Sequence, residues 1–113
     1  MGLFNVVRRR RTRGVRPPNP KDNAYLRSWA EGRRGVEAFV EPKTMVTETT
    51  VVLVAHDGEW TRRRITEHDA RDLGKRVGIP VYDVALVGYP ARMRAYTAEL
   101  ARQQKRDHGG RIG

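Results

Sequence analysis

The run Trp60-Thr61-Arg62-Arg63-Arg64 packs an aromatic ring and three guanidinium groups into five residues. Such a set can hold a polyanion: guanidinium forks grip phosphates bidentately, and an indole offers a face on which a base can stack. On a strand, alternation puts Trp60, Arg62 and Arg64 on one face and Arg63 on the other. The same charges could equally protect an edge strand from pairing with other chains, with Trp60 covering part of the core. A second concentration of guanidinium groups lies at Arg8, Arg9, Arg10, Arg11, Arg13 and Arg16, where residues 1–16 hold no acid. A third comprises Arg102, Lys105, Arg106 and Arg111, against Asp107 alone.

Catalytic chemistry finds less to work with. His56, His68 and His108 fall in a turn, a helix start and the C-terminal tail, and the chain has no cysteine. A zinc site would have to draw its ligands from distant segments, so solvated histidines and no metal are expected. Asp69 and Asp72 suit the positive end of a helix, which accounts for acids there without general acid–base work. The glycines at 74, 78 and 88 do not form a dinucleotide fingerprint, and no phosphate-cradling loop precedes a Lys-Ser/Thr pair. The chain therefore reads as non-catalytic, with no cofactor and no evident small-molecule substrate.

The net charge is +10, and its distribution gives it meaning. Residues 1–16 contribute +6 and residues 101–113 contribute +3, while residues 17–100 balance thirteen bases against twelve acids. A neutral body with basic ends resembles a tethered polyanion binder more than a globular domain with its own basic patch. Arginine outnumbers lysine 19 to 4, a bias that favours phosphate recognition and that a GC-rich genome would also produce.

These groups need a scaffold, and 113 residues suffice for one domain with a core. We assign residues 1–18 to a basic arm, 19–105 to a single α+β domain and 106–113 to a tail. Asn19 as N-cap, Pro20 at the first helical position and Asp22 three residues on predict a helix, with Tyr25, Leu26 and Trp29 inward and Gly32 or Gly35 as its end. Val36, Ala38 and Val40 alternate with Glu37 and Glu41, predicting a half-buried strand that stops at Pro42. Residues 47–55 are β-branched and apolar on both faces, as in a central strand. Asp57-Gly58 predicts a two-residue hairpin turn, with His56 and Glu59 closing it, Val54 opposite Thr61, Leu53 opposite Arg62 and Val51 opposite Arg64.

Thr66 then caps a helix carrying Ala70, Leu73 and Val77, closed by Gly78. A strand over Val81–Val87 follows, ending at Gly88. Pro90 opens a last helix whose stripe is Met93, Tyr96 and Leu100, with Arg92, Arg94 and Glu99 facing away; it runs out near Lys105. The expected order is α-β-β-β-α-β-α: a small, mostly antiparallel sheet of three or four strands with helices on one face.

The segments Val36-Glu-Ala-Phe-Val-Glu-Pro-Lys-Thr, Thr-Thr-Val-Val-Leu-Val-Ala-His-Asp-Gly-Glu-Trp-Thr-Arg-Arg-Arg, Gly78-Ile-Pro-Val-Tyr-Asp-Val and Val87-Gly-Tyr-Pro-Ala-Arg-Met resemble a family of short, uncharacterised proteins from high-GC bacteria. The resemblance covers roughly residues 24–97. Members often carry the label "oxidoreductase" by automated transfer, so it implies the fold unit and, through that label, a redox alternative.

No apolar run is long enough to span a bilayer. The apolar start Leu3-Phe4-Asn5-Val6-Val7 precedes its charges, the reverse of a secretory signal. A cytoplasmic protein is expected. The leading expectation is a ribosome- or ribonucleoprotein-associated RNA binder. One alternative is an interaction subunit of a protein or membrane complex, in which that apolar start meets an anionic surface. The other is the redox activity that the resemblance implies.

Overall fold

A computed structural model describes residues 20–112, with side chains through Asp107. The expected cap at Asn19 and the arginines from Arg8 to Arg16 lie outside the described residues. The elements are α1 (Pro20–Glu31), β1 (Glu37–Glu41), β2 (Thr50–Val54), β3 (Trp60–Arg64), α2 (Glu67–Val77), β4 (Val81–Asp83), α3 (Val84–Val87) and α4 (Ala91–Ile112). The protein is thus α+β in the expected order, with one short helix added.

The four strands form one sheet in the order β3-β2-β1-β4. β2 pairs antiparallel with both β1 and β3, whereas β4 pairs parallel with β1. β3 and β4 therefore run the same way at opposite edges, and a crossover must join them; α2 supplies it. Thr66 Oγ1 accepts from the Asp69 amide at 3.0 Å and Gly78 closes α2 in the left-handed conformation, both as expected.

One face of the sheet meets α1 and α2. Leu26, Trp29 and Ala30 of α1 and Ala70 and Leu73 of α2 close over Ala38, Val40, Val51, Leu53 and Ile65. The inward stripe of α1 is thus Leu26-Trp29-Ala30, and Tyr25 turns toward the β3 edge instead. α2 lies so close to β4 that a Cβ on Gly74 would come within 2.4 Å of Val81 Cγ2. β1 is not the half-buried strand expected: Phe39, between Ala38 and Val40, is buried together with Val52, Val54 and Met93 on the other face. β1 is covered on both sides because it sits between two strands and beneath a helix on each face. α4 therefore occupies the face opposite α1 and α2, which corrects the expectation that all helices share one face.

Three further expectations change. The hairpin is present, but its loop holds three residues: Ala55 and Glu59 close it, with Ala55 N to Glu59 O at 2.8 Å and Gly58 N to Ala55 O at 2.9 Å. Only Gly58 of the pair has positive φ, at 94°, whereas a two-residue type I′ turn requires it at both positions. The register accordingly moves by one, pairing Val54 with Trp60, Leu53 with Thr61, Val52 with Arg62 and Thr50 with Arg64. The strand expected over Val81–Val87 stops at Asp83, whose carboxylate accepts from the Ala85 amide at 2.8 Å and starts α3. The last helix continues past Lys105 to Ile112. Among the described residues no helix is long and apolar enough to cross a membrane.

Candidate nucleic-acid interface

β3 is an edge strand. The bonds Ala55 N–Glu59 O and Ile65 N–Thr49 O bracket it, so by alternation Thr61 and Arg63 bond to β2. The backbone groups of Trp60, Arg62 and Arg64 point out along the open edge. Arg63 Nη1 donates to Arg62 O at 2.7 Å, closing part of that edge with a charge.

The side chains divide as the alternation predicts. Trp60, Arg62 and Arg64 lie on the α4 face, and Thr61 and Arg63 on the α1 face. Trp60 packs against the Phe39–Val52–Val54–Met93 cluster, and its Nε1 donates to Thr97 Oγ1 of α4 at 2.9 Å. Arg62 grips Glu41 with both arms, Nε to Oε1 at 2.7 Å and Nη2 to Oε2 at 2.9 Å, and lies 5.3 Å from the Trp60 ring centre. Arg64 pairs with Glu48 from the β1–β2 loop. Both arginines expected to hold phosphates thus already hold carboxylates.

Glu41 is the hub of this face. It also accepts from Thr50 Oγ1 at 2.6 Å and from the Tyr89 hydroxyl. Burial pushes its carboxyl up, but the hydrogen bonds from Arg62, Thr50 and Tyr89 together outweigh burial and leave it below the usual carboxylate range. Tyr89 moves up, by burial first and then through its bond to the Glu41 carboxylate.

On the α1 side two further arginines join the edge. The Arg63 guanidinium sits 4.0 Å from the Tyr25 ring centre, its Nε 3.7 Å from Asp22, while Tyr25 and Thr61 share a hydroxyl hydrogen bond of 2.9 Å. Arg33 sits 4.0 Å from the Trp29 ring centre and donates to both oxygens of Glu59, at 3.0 and 2.9 Å. That pairing holds Glu59 below and Arg33 above their ordinary values. Between them lies a shallow depression of about 490 Å³, bordered by Tyr25, Trp29, Arg33, Glu59, Trp60 and Thr61. Arginine–aromatic contact thus occurs three times along one edge.

The sequence singled out Trp60, Arg62 and Arg64 and set Arg63 on the opposite face; Arg33 and Tyr25 join that edge only in the fold. A signal existed: Tyr25, Trp29 and Arg33 recur every four residues, the spacing of one helical face. What no pattern reveals is that this face lies beside β3.

Arg92, expected to face away, turns inward. Its Nε donates to Ala55 O at 2.8 Å, its Nη2 to Val54 O at 3.3 Å, and it pairs with Glu37 at 2.7 Å. The carbonyls freed where β2 ends attract it, and helical periodicity carries no record of them. Lys105 and Arg106 are exposed on α4, and Arg106 approaches Glu99 at 4.0 Å. The Arg111 side chain lies outside the described residues.

A second groove, of about 500 Å³, runs between α1 and α2. Arg27 pairs with Glu31 and Arg76 with Asp72 along it. With Asp69 also in its lining, three carboxylates face two guanidinium groups, which suits a polyanion poorly. No protein-family model, curated protein or solved structure matches the chain.

Proposed function

We propose that the protein is a non-catalytic, cytoplasmic RNA-binding protein, held on the ribosome or another large ribonucleoprotein by its arginine-rich ends. The observation that carries this reading is where the charge is already matched. Within the body, Arg27, Arg33, Arg62, Arg63, Arg64, Arg71, Arg76 and Arg92 each pair with a carboxylate. The segment 1–16 brings six arginines and no acid, so its charge has no counterpart of its own. A phosphate backbone supplies one, and releasing its condensed counterions drives the association.

The test is a salt titration of RNA binding by the full chain and by a chain lacking residues 1–16. Each phosphate contact steepens the log–log slope by about 0.7 for a single strand. The truncation is expected to keep its melting temperature and lose most of its affinity and slope. Unchanged affinity overturns the reading.

One observation favours a second reading, an adaptor that docks through apolar contacts. The β1–β2 loop turns at Thr44–Thr47, where Thr44 Oγ1 accepts from the Val46 and Thr47 amides at 3.2 and 3.1 Å. This turn displays Met45 and Val46 fully exposed at its apex, where turn chemistry favours Gly, Asn or Asp. Loss of binding to the native complex in a Met45→Ser/Val46→Ser variant that still binds RNA would support the adaptor.

A further inference from the structure

We infer that the edge formed by β3 and α1 is a stacking platform for unpaired bases, so that the RNA it takes is single-stranded rather than duplex. This rests on the RNA-binding reading and specifies its ligand. Arg33 and Arg63 each lie 4.0 Å from a ring centre, of Trp29 and Tyr25 respectively. Each keeps part of its side chain in solvent, 31% for Arg33 and 40% for Arg63. A guanidinium with an aromatic ring beneath it still offers its outer face, and a nucleobase is the flat, polarisable partner for that face.

The groups are also held in advance. Glu59 fixes Arg33 through two hydrogen bonds and Asp22 approaches Arg63, so little side-chain freedom remains to be lost on binding. Because those partners neutralise the two arginines, what they add is a surface to stack on more than a net charge. This division of labour leaves affinity to the basic ends and preference for bases to the edge.

Access to base faces selects the form of nucleic acid. Arg33 follows α1 and is held by Glu59 at the hairpin's end, whereas Arg63 lies within β3 over Tyr25, so the two guanidinium groups sit on separate rings. Bases in a continuous stack repeat at about 3.4 Å, and their faces are closed to a side chain by their neighbours. Only a strand whose bases are splayed apart can place one on each guanidinium. Duplex RNA can meet the edge through its backbone alone.

The experiment uses the full chain with three RNAs of equal length: a single strand, the same strand with abasic sugars, and a duplex. It also uses the variant Arg33→Lys/Arg63→Lys, which keeps both charges and removes both planar faces. The wild-type protein is expected to bind the single strand about tenfold tighter than the abasic strand. The lysine variant should lose that preference and keep its affinity for the abasic strand. Equal binding of base-bearing and abasic strands by the wild-type protein overturns the platform, needs no variant, and leaves RNA binding standing. A preference that survives in a folded lysine variant overturns it as well. If none of the three RNAs binds at moderate salt, the functional reading fails and the platform with it.

Discussion

The two faces of the sheet are closed by different means. On one, α1 and α2 cover Ala38, Val40, Val51 and Leu53, which belong to an apolar core of twelve buried residues among those described. On the other, α4 covers only one end, over Phe39, Val52 and Val54, and the rest is closed by Glu41 with Arg62, Thr50 and Tyr89 and by the Arg64–Glu48 pair. A chain with few aromatic residues and 32% charged ones cannot cover four strands twice with apolar side chains. It covers one face that way and closes the second with paired charge. The apolar face should carry the stability, and the paired face should be adjustable at small cost.

The sharpest way to break that comparison is to cut one buried apolar side chain on each face. Leu53→Ala leaves a cavity under two helices and is expected to cost about 4 kcal/mol. Met93→Ala, on the sheet-facing side of α4 at an open margin, should cost about 2 kcal/mol, within the range for such truncations. Chemical denaturation of both variants measures the difference, and equal costs would erase the asymmetry.

Gly58→Ala comes next. Gly58 has a φ of 94°, and a Cβ there would lie 2.1 Å from Arg92 O and 2.9 Å from Tyr96 Cβ. The backbone strain alone should cost about 1–3 kcal/mol, and α4 must shift besides. The NMR signal of the Trp60 indole N–H, which donates to Thr97, should move while the core under α1 and α2 keeps its hydrogen-exchange protection.

A smaller effect follows acid. Glu41 and Glu59 titrate below their ordinary value of 4.5 when folded, so the stability they contribute is present above that value and lost as pH falls through the folded one. Glu41→Gln should lower stability at pH 7 and flatten its fall below about pH 4.5; an unchanged acid slope would remove Glu41 from the account. Smallest of all, Arg62→Ala/Arg64→Ala should cost under about 1 kcal/mol per pair, as part-exposed ion pairs do. If the β3 edge contacts RNA, the double variant binds more weakly; if its charges only protect the edge, affinity holds and light scattering rises.

How legible this was in the sequence depends on distance along the chain. The caps of α2 at Thr66 and Gly78 and the hairpin around Asp57-Gly58 are encoded within four or five residues, and they stand where the residues placed them. The register slipped by one because Asp-Gly satisfies a two-residue or a three-residue loop equally well until the φ of Asp57 is known. Asp83 could be taken for a strand residue or a cap, and its bond to the Ala85 amide decided for the cap. The inward turn of Arg92 and the stacking of Arg63 on Tyr25 join residues nearly forty positions apart. Side-chain type alone places neither.

α4 holds a mechanical consequence. Its 22 residues make a rod about 33 Å long, and its grip on the body comes from Arg92, Met93, Tyr96 and Thr97. From Ala98 to Asp107 every residue is exposed, so the second half is a cantilever. Met93, at the clamp, and Lys105 are twelve positions apart, which fixes them roughly 18 Å from each other along the axis. A charge on a flexible tail samples a cloud of positions, whereas one on a clamped rod returns to a single radius. Any partner that engages both the clamp and the far end must match that length, and helix-breaking substitutions near Ala101 would turn a ruler into a string.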